Sequence, residues 1–199
     1  TASSRDSLLG MRRQISSAVL QGQAAVERAA AMTRQPNMGT TLTAAYVTED
    51  WLYLGHVGDS RCYLARGGQL VQLTADHTVA EQLRAAFGEE MHDASPYEHV
   101  LWKALTANPA ADVEPQLERR RLYAGDVLVL CSAGLTKHVD DAELLACLLA
   151  RESARATATR LVALANERGG LDNITAVVGR ISEPRPAATA TGGALPTVA

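Results

Sequence analysis

The sequence predicts an α+β fold, with strands in groups and helices collected elsewhere, rather than a repeated βαβ chain. Strand-like runs rich in β-branched and aromatic residues crowd into residues 41–74 and again into 113–131. Helical periodicity is concentrated at the front of the chain and in residues 140–166, with two short stretches between. At 199 residues, 47% of them hydrophobic, the chain is long enough to bury one substantial core.

Residues 7–32 carry Leu8, Met11, Ile15, Val19 and Val26 at helical intervals, with alanines between and no proline, which predicts one long amphipathic helix. Pro36, Asn37 and Gly39 punctuate its end. Residues 41–47 and 51–57 alternate in part and read as a hairpin turning at Glu49-Asp50. Residues 61–66 and 69–74 flank Gly67-Gly68, whose tolerance of positive φ suits a two-residue turn, so four antiparallel strands in a row are expected. Residues 78–87 and 97–105 predict short helices, the second begun by Pro96, around the polar stretch 88–95, which has the composition of a mobile flap. Strands resume at 113–122 and 126–131 about a turn at Ala124-Gly125. Residues 140–149 and 154–166 predict two helices, the second capped by Ser153 and stopped by Gly169-Gly170, and residues 174–181 a last strand. Beyond Ser182, EPRPAATATGGALPTVA is poor in bulky apolar residues, so the expected division is a domain at 1–182 and a disordered tail or linker at 183–199.

With 19 basic residues scattered against 22 acidic ones, the net charge is −3, and no electropositive face for nucleic acid is implied. The tight basic run Arg119, Arg120, Arg121 reads as a solvated strand end. Cys62, Cys131 and Cys147 are odd in number and lack zinc-type spacing, which points to a reduced, cytoplasmic setting. The first residues lack the order of a signal peptide and no apolar run approaches membrane-spanning length, so a soluble chain without a membrane partner is expected. It begins with threonine, as a piece of a longer protein would.

Three turns at strand ends set acidic residues beside small ones: Gly58-Asp59-Ser60, Ala75-Asp76-His77 and Leu171-Asp172-Asn173. Such carboxylates can converge on Mg²⁺ or Mn²⁺, though each alone is better explained by local bonds to nearby backbone, and it is the ordered set that carries information. His56 and His138 lie near the same sheet end and read as satisfied structural residues, while His92 and His99 fall in or near the flap and read as exposed. Cys131 lacks the arginine-closed cradle of a phosphate-binding cysteine and reads as a buried thiol. Trp51 and Trp102 read as packing residues.

Six blocks, in order, resemble one family. GTTLTAAYV at 39–47, GHVGDSRCYL at 55–64, LTADHT at 73–78, VEPQL at 113–117, GDVLVLCSAGLTKHV at 125–139 and DNITAVV at 172–178 are similar to motifs of the metal-dependent serine/threonine protein phosphatases of type 2C, the PPM family. The resemblance implies an α-β-β-α sandwich of two antiparallel sheets flanked by helices, with a Mg²⁺ or Mn²⁺ cluster whose bridging water attacks a phosphoserine or phosphothreonine. It places Asp172 at the family's metal-binding aspartate and Asp59 at an acidic residue that holds an additional ion in bacterial members. Asp76 and His77 match a structural or supporting pair, and Asn173 completes the DN motif. The partner implied is a phosphorylated protein or its kinase.

Two departures qualify that expectation. The family has CSDGL where this chain has CSAGL, so Ala133 stands in place of a metal-ligating carboxylate. The family's first strands, with their phosphate-binding arginine and bridging aspartate, precede the long helix, and the given residues start at that helix. The sequence therefore predicts an impaired metal site in a phosphatase-type domain that is weak or inactive in this form, or a pseudophosphatase that binds a partner. A third possibility is that the first strands are encoded upstream.

Overall fold

The computed structural model describes residues 2–48, 50–88 and 95–182. Its elements run α1 (Ala2–Thr33), β1 (Gly39–Thr40), β2 (Leu42–Thr48), β3 (Trp51–Val57), β4 (Arg61–Arg66), β5 (Gln69–Gln72), α2 (Val79–Phe87), a 3-10 turn (Ser95–Tyr97), β6 (Leu105–Thr106), β7 (Gln116–Arg121), β8 (Val127–Cys131), α3 (Ala133–Thr136), α4 (Asp141–Leu149), α5 (Ala154–Glu167) and β9 (Ala176–Arg180).

Two antiparallel sheets carry the fold: β2-β3-β7, and β5-β4-β8-β9. Side chains alternate across a strand, and here both faces of the central strands are covered, so consecutive residues enter different cores. From β4, Cys62 and Leu64 join Leu52, Leu54 and Leu128 in the core between the sheets. Their neighbours Tyr63 and Ala65 face the other way, into the core that Leu144, Leu148 and Leu161 of α4 and α5 close. On the opposite side α1 lays Val19 against Val57 and Leu105. The layers are thus helix, sheet, sheet, helix, as expected. Truncating a fully buried leucine such as Leu52 or Leu161 to alanine costs about 2–5 kcal/mol in a core of this kind.

Local chemistry fixes the helix starts. Thr78 accepts from the Glu81 amide at the head of α2, Asp140 and Glu143 form a capping box on α4, and Ser153 accepts from the Ala156 amide on α5. Buried Gln23 of α1 donates to the carbonyls of Thr106 and Asn108 and accepts from the Thr106 amide, tying the helix to β6.

Three expectations are corrected. The four strands in a row divide between the two sheets: the chain leaves β3 through Gly58 at φ 115° and starts the second sheet at Arg61. Residues 97–105 do not form a helix, because longer-range pairing claims their backbone. The Val79 amide bonds the Val100 carbonyl, the Trp102 amide bonds the His77 carbonyl, and β6 pairs with β1. A four-residue helix, α3, follows β8 where only a turn was expected. The basic run ends β7 and is only partly solvated, since the Arg119 guanidinium lies 3.5 Å over the Trp51 ring. Glu49 of the expected turn, the flap stretch at 89–94 with His92, and the tail at 183–199 lie outside the described residues.

Candidate active site

Two loops meet at the ends of β8 and β9 because one hydroxyl staples them. Ser132 caps no amide of α3; its Oγ donates to the Asn173 carbonyl at 3.2 Å and accepts from the Thr175 amide at 3.0 Å. The Ser132 amide bonds the Thr175 carbonyl at 3.1 Å. Gly134 is required in this arrangement, since a Cβ there would overlap the Asn173 carbonyl oxygen and lie 3.1 Å from its carbon. The predicted CSAGL and DN turns are therefore adjacent, and Asn173 acts here through its backbone.

The GDS turn is set by His77. Its Nδ1 accepts from the Gly58 amide at 3.0 Å while the His77 amide donates to the Gly58 carbonyl at 2.8 Å. Burial, with His56 next in importance, lowers the His77 pKa to about 4, so the ring is neutral and remains an acceptor. His56 is fully buried, donates through Nε2 to the Ala75 carbonyl at 3.1 Å and shares a 2.8 Å bond with the Thr43 hydroxyl. Asp76 is engaged by Arg61, whose Nε and Nη2 reach its two oxygens at 3.0 and 2.7 Å, while Gln72 adds a further bond at 3.1 Å. These residues hold the sheet end together rather than present a free ligand.

A cleft of about 520 Å³ lies at these turns, lined by Asp59, Arg61, Asp76, Ala133, Lys137, His138 and Leu171 and also by Thr78, Glu81, Arg84, Glu98 and exposed His99. Asp59 has no ion-pair partner among the described residues, and burial, then the nearby Asp76, raise its carboxyl above the usual range. Asp172 is half exposed and paired with Lys137, Nζ to Oδ2 at 3.1 Å, which holds its carboxyl below the usual range; its Oδ1 accepts from the Asn173 amide at 2.8 Å. The Nε2 of His138 is buried without a hydrogen-bond partner among the described residues. Sequence reasoning missed Lys137, Arg61 and Arg84. The 35-residue separation of Lys137 from Asp172 left no local signal of their pairing.

The described residues offer few side-chain oxygens to a pair of Mg²⁺ or Mn²⁺ ions. Hard cations need converging oxygen ligands. Ala133 offers a methyl, Asp172 is paired with the Lys137 ammonium in a half-exposed contact, and no group of three His, Cys, Asp or Glu side chains suited to a metal occurs among the described residues. Cys131 is no alternative nucleophile, since burial pushes its thiol up to about 12, and Cys62 is likewise pushed up to about 12. Trp51 packs under Arg119, whereas Trp102 is 41% exposed, its ring 5.5 Å from that of His77 and steeply inclined to it.

The protein phosphatase 2C family model matches residues 1–83. The chain is similar to the serine/threonine protein phosphatase PstP of Mycobacterium tuberculosis, 40% identical over 171 residues that make up 83% of this chain; it spans only 32% of that relative's length. Among solved structures, it resembles the Streptococcus agalactiae serine/threonine phosphatase with a TM-score of 0.77 at 31% identity, covering 86% of this chain and 71% of that one. The PstP catalytic domain in complex with two manganese ions superposes with a TM-score of 0.73 at 38% identity, with coverage of 86% and 71%.

Proposed function

The chain belongs to the protein phosphatase 2C family of serine/threonine phosphatases, and from that premise we propose that it is a phosphatase-type domain whose metal-dependent hydrolysis is weak or absent in this form. The observation that carries the reading is the state of the two turns that should supply metal ligands: a methyl at Ala133 and, in the adjoining turn, an Asp172 carboxylate paired with Lys137. On this reading Asp172 and Asp59 are the inherited metal positions, Ala133 is the lost one, and Asp76, His77 and Asn173 support the loops. The domain is assigned to residues 1–182, with 183–199 as a tail or linker.

The same observation favours a second reading, a pseudophosphatase that binds a phosphorylated serine or threonine protein, or its kinase, without turnover. The setting proposed for either is the cytoplasm; no helix among the described residues is long and apolar enough to cross a membrane. Both readings are tested with a phosphothreonine peptide, its binding followed by fluorescence anisotropy and its turnover by phosphate release, with Mn²⁺ and with chelator. Binding without turnover is the expected result. Chelator-sensitive release at a rate ordinary for an enzyme, about 1–10³ s⁻¹, would overturn the proposal.

A further inference from the structure

Lys137 does not meet Asp172 by chance of a long side chain. It follows directly on α3, where its amide bonds the Ala133 carbonyl at 3.1 Å, and its side chain is only 32% exposed. Asp172 is oriented from its own side by the Asn173 amide at 2.8 Å, and the Ser132 hydroxyl fixes the two loops relative to each other. Backbone geometry thus brings one ammonium to one carboxylate. Position 133 lies four residues before Lys137 on the same helical turn, the spacing at which a carboxylate would pair with a lysine. With a methyl there, Asp172 is the carboxylate that Lys137 engages among the described residues.

We propose that Lys137 is the resident cation of this site, its ammonium seated on Asp172, the carboxylate read above as an inherited metal position. The inference rests on the reading above that the residues present offer few side-chain oxygens to a dinuclear metal centre, and it adds what engages Asp172 instead. The Asp172 carboxylate is neutralised from within the chain. A divalent ion must displace the ammonium and then remain close to it, so like-charge repulsion opposes metal binding even where a carboxylate is available. Lys137 is therefore a determinant of metal rejection, acting together with Ala133.

The test is Mn²⁺ alone, titrated into the 199-residue chain while free ion is followed by electron paramagnetic resonance. The chain as it stands is expected to show no saturable binding below about 1 mM. Lys137→Met and Lys137→Gln should each bind at least about tenfold more tightly, because the competing charge is gone. Lys137→Arg keeps the charge and should behave like the parent, and adding Asp172→Asn to Lys137→Met should abolish the gain. Far-UV circular dichroism identifies any variant that fails to fold, and the Met and Gln variants serve as replicates of each other. Equal Mn²⁺ binding by the parent and both uncharged variants, or Asp172-dependent binding by the parent that matches theirs, overturns the proposal. Phosphopeptide turnover by the parent would instead overturn the functional reading, whereas Mn²⁺ held at Asp172 in an inactive parent overturns this inference alone.

Discussion

Replacing Gly134 by alanine sets two effects of known size against each other. Alanine is the better helix former by about 1 kcal/mol, chiefly because it restricts the unfolded chain, so propensity alone predicts stabilisation in α3. Against this, the added methyl would overlap the Asn173 carbonyl oxygen and sit 3.1 Å from its carbon. The obstacle is backbone, already bonded to Ser132, and cannot rotate away. Overpacking of that kind costs about 1–3 kcal/mol, and somewhat more where the neighbour is rigid. We expect a net loss of about 1–2 kcal/mol, or a Tm lower by about 2–8 °C for a chain of this size, read by circular dichroism. Gly10→Ala in α1 is the control, since nothing lies within 4 Å of its added methyl. That variant should gain stability by propensity. A Gly134→Ala variant that rises in Tm alongside Gly10→Ala would refute the close approach of the CSAGL and DN loops.

Further outcomes follow from the site and its surroundings. The His77 pKa is lowered from 6.5 to about 4, so the unfolded chain binds more protons between those values. The contribution of His77 to stability should be complete above pH 6.5 and fall as pH drops toward about 4; urea unfolding at a series of pH values, with His77→Asn as reference, checks this. Asp126 is 2% exposed, and although burial works against it, bonds from Arg66 and the Tyr123 amide hold its carboxyl below the usual range. Asp126→Ala should cost about 1–3 kcal/mol at neutral pH, measured by chemical denaturation, and the difference from the parent should shrink as acid titrates the pair. Cys62, Cys131 and Cys147 are all buried, two of them with thiols pushed up to about 12, so Ellman's reagent at pH 7 should react only as the protein unfolds. A fast-reacting thiol in the native protein would contradict their placement.

Strands and long helices were legible because their signals are local. Alternation in Cys62, Tyr63, Leu64 and Ala65 follows from burial on two faces, and Thr78, Asp140 and Ser153 cap helices as their side-chain chemistry dictates. What escaped depends on distant partners. Residues 97–105 have helical composition, yet Thr78 bridges to Leu101 and Thr40 pairs with Leu105, and those contacts outweigh weak propensity. Helix α3, at four residues, is too short to show a period. At the site, Asp59, Asp172 and Ala133 could be named in advance, but not the pairings that decide their chemistry. Asp172 with Lys137, Asp76 with Arg61, and His77 with Gly58 each join residues that only the fold brings together.

The central claim, as proposed above, is that this chain carries the phosphatase fold with metal-dependent hydrolysis that is weak or absent in this form. Its most direct test is hydrolysis of a generic aryl phosphate in Mn²⁺, with and without chelator, by the chain and by Ala133→Asp. The account predicts that the chain releases phosphate far below the ordinary enzymatic range of about 1–10³ s⁻¹, whatever the Asp variant does. Chelator-sensitive turnover within that range by the chain as it stands would contradict it and require a ligand set other than the residues described above.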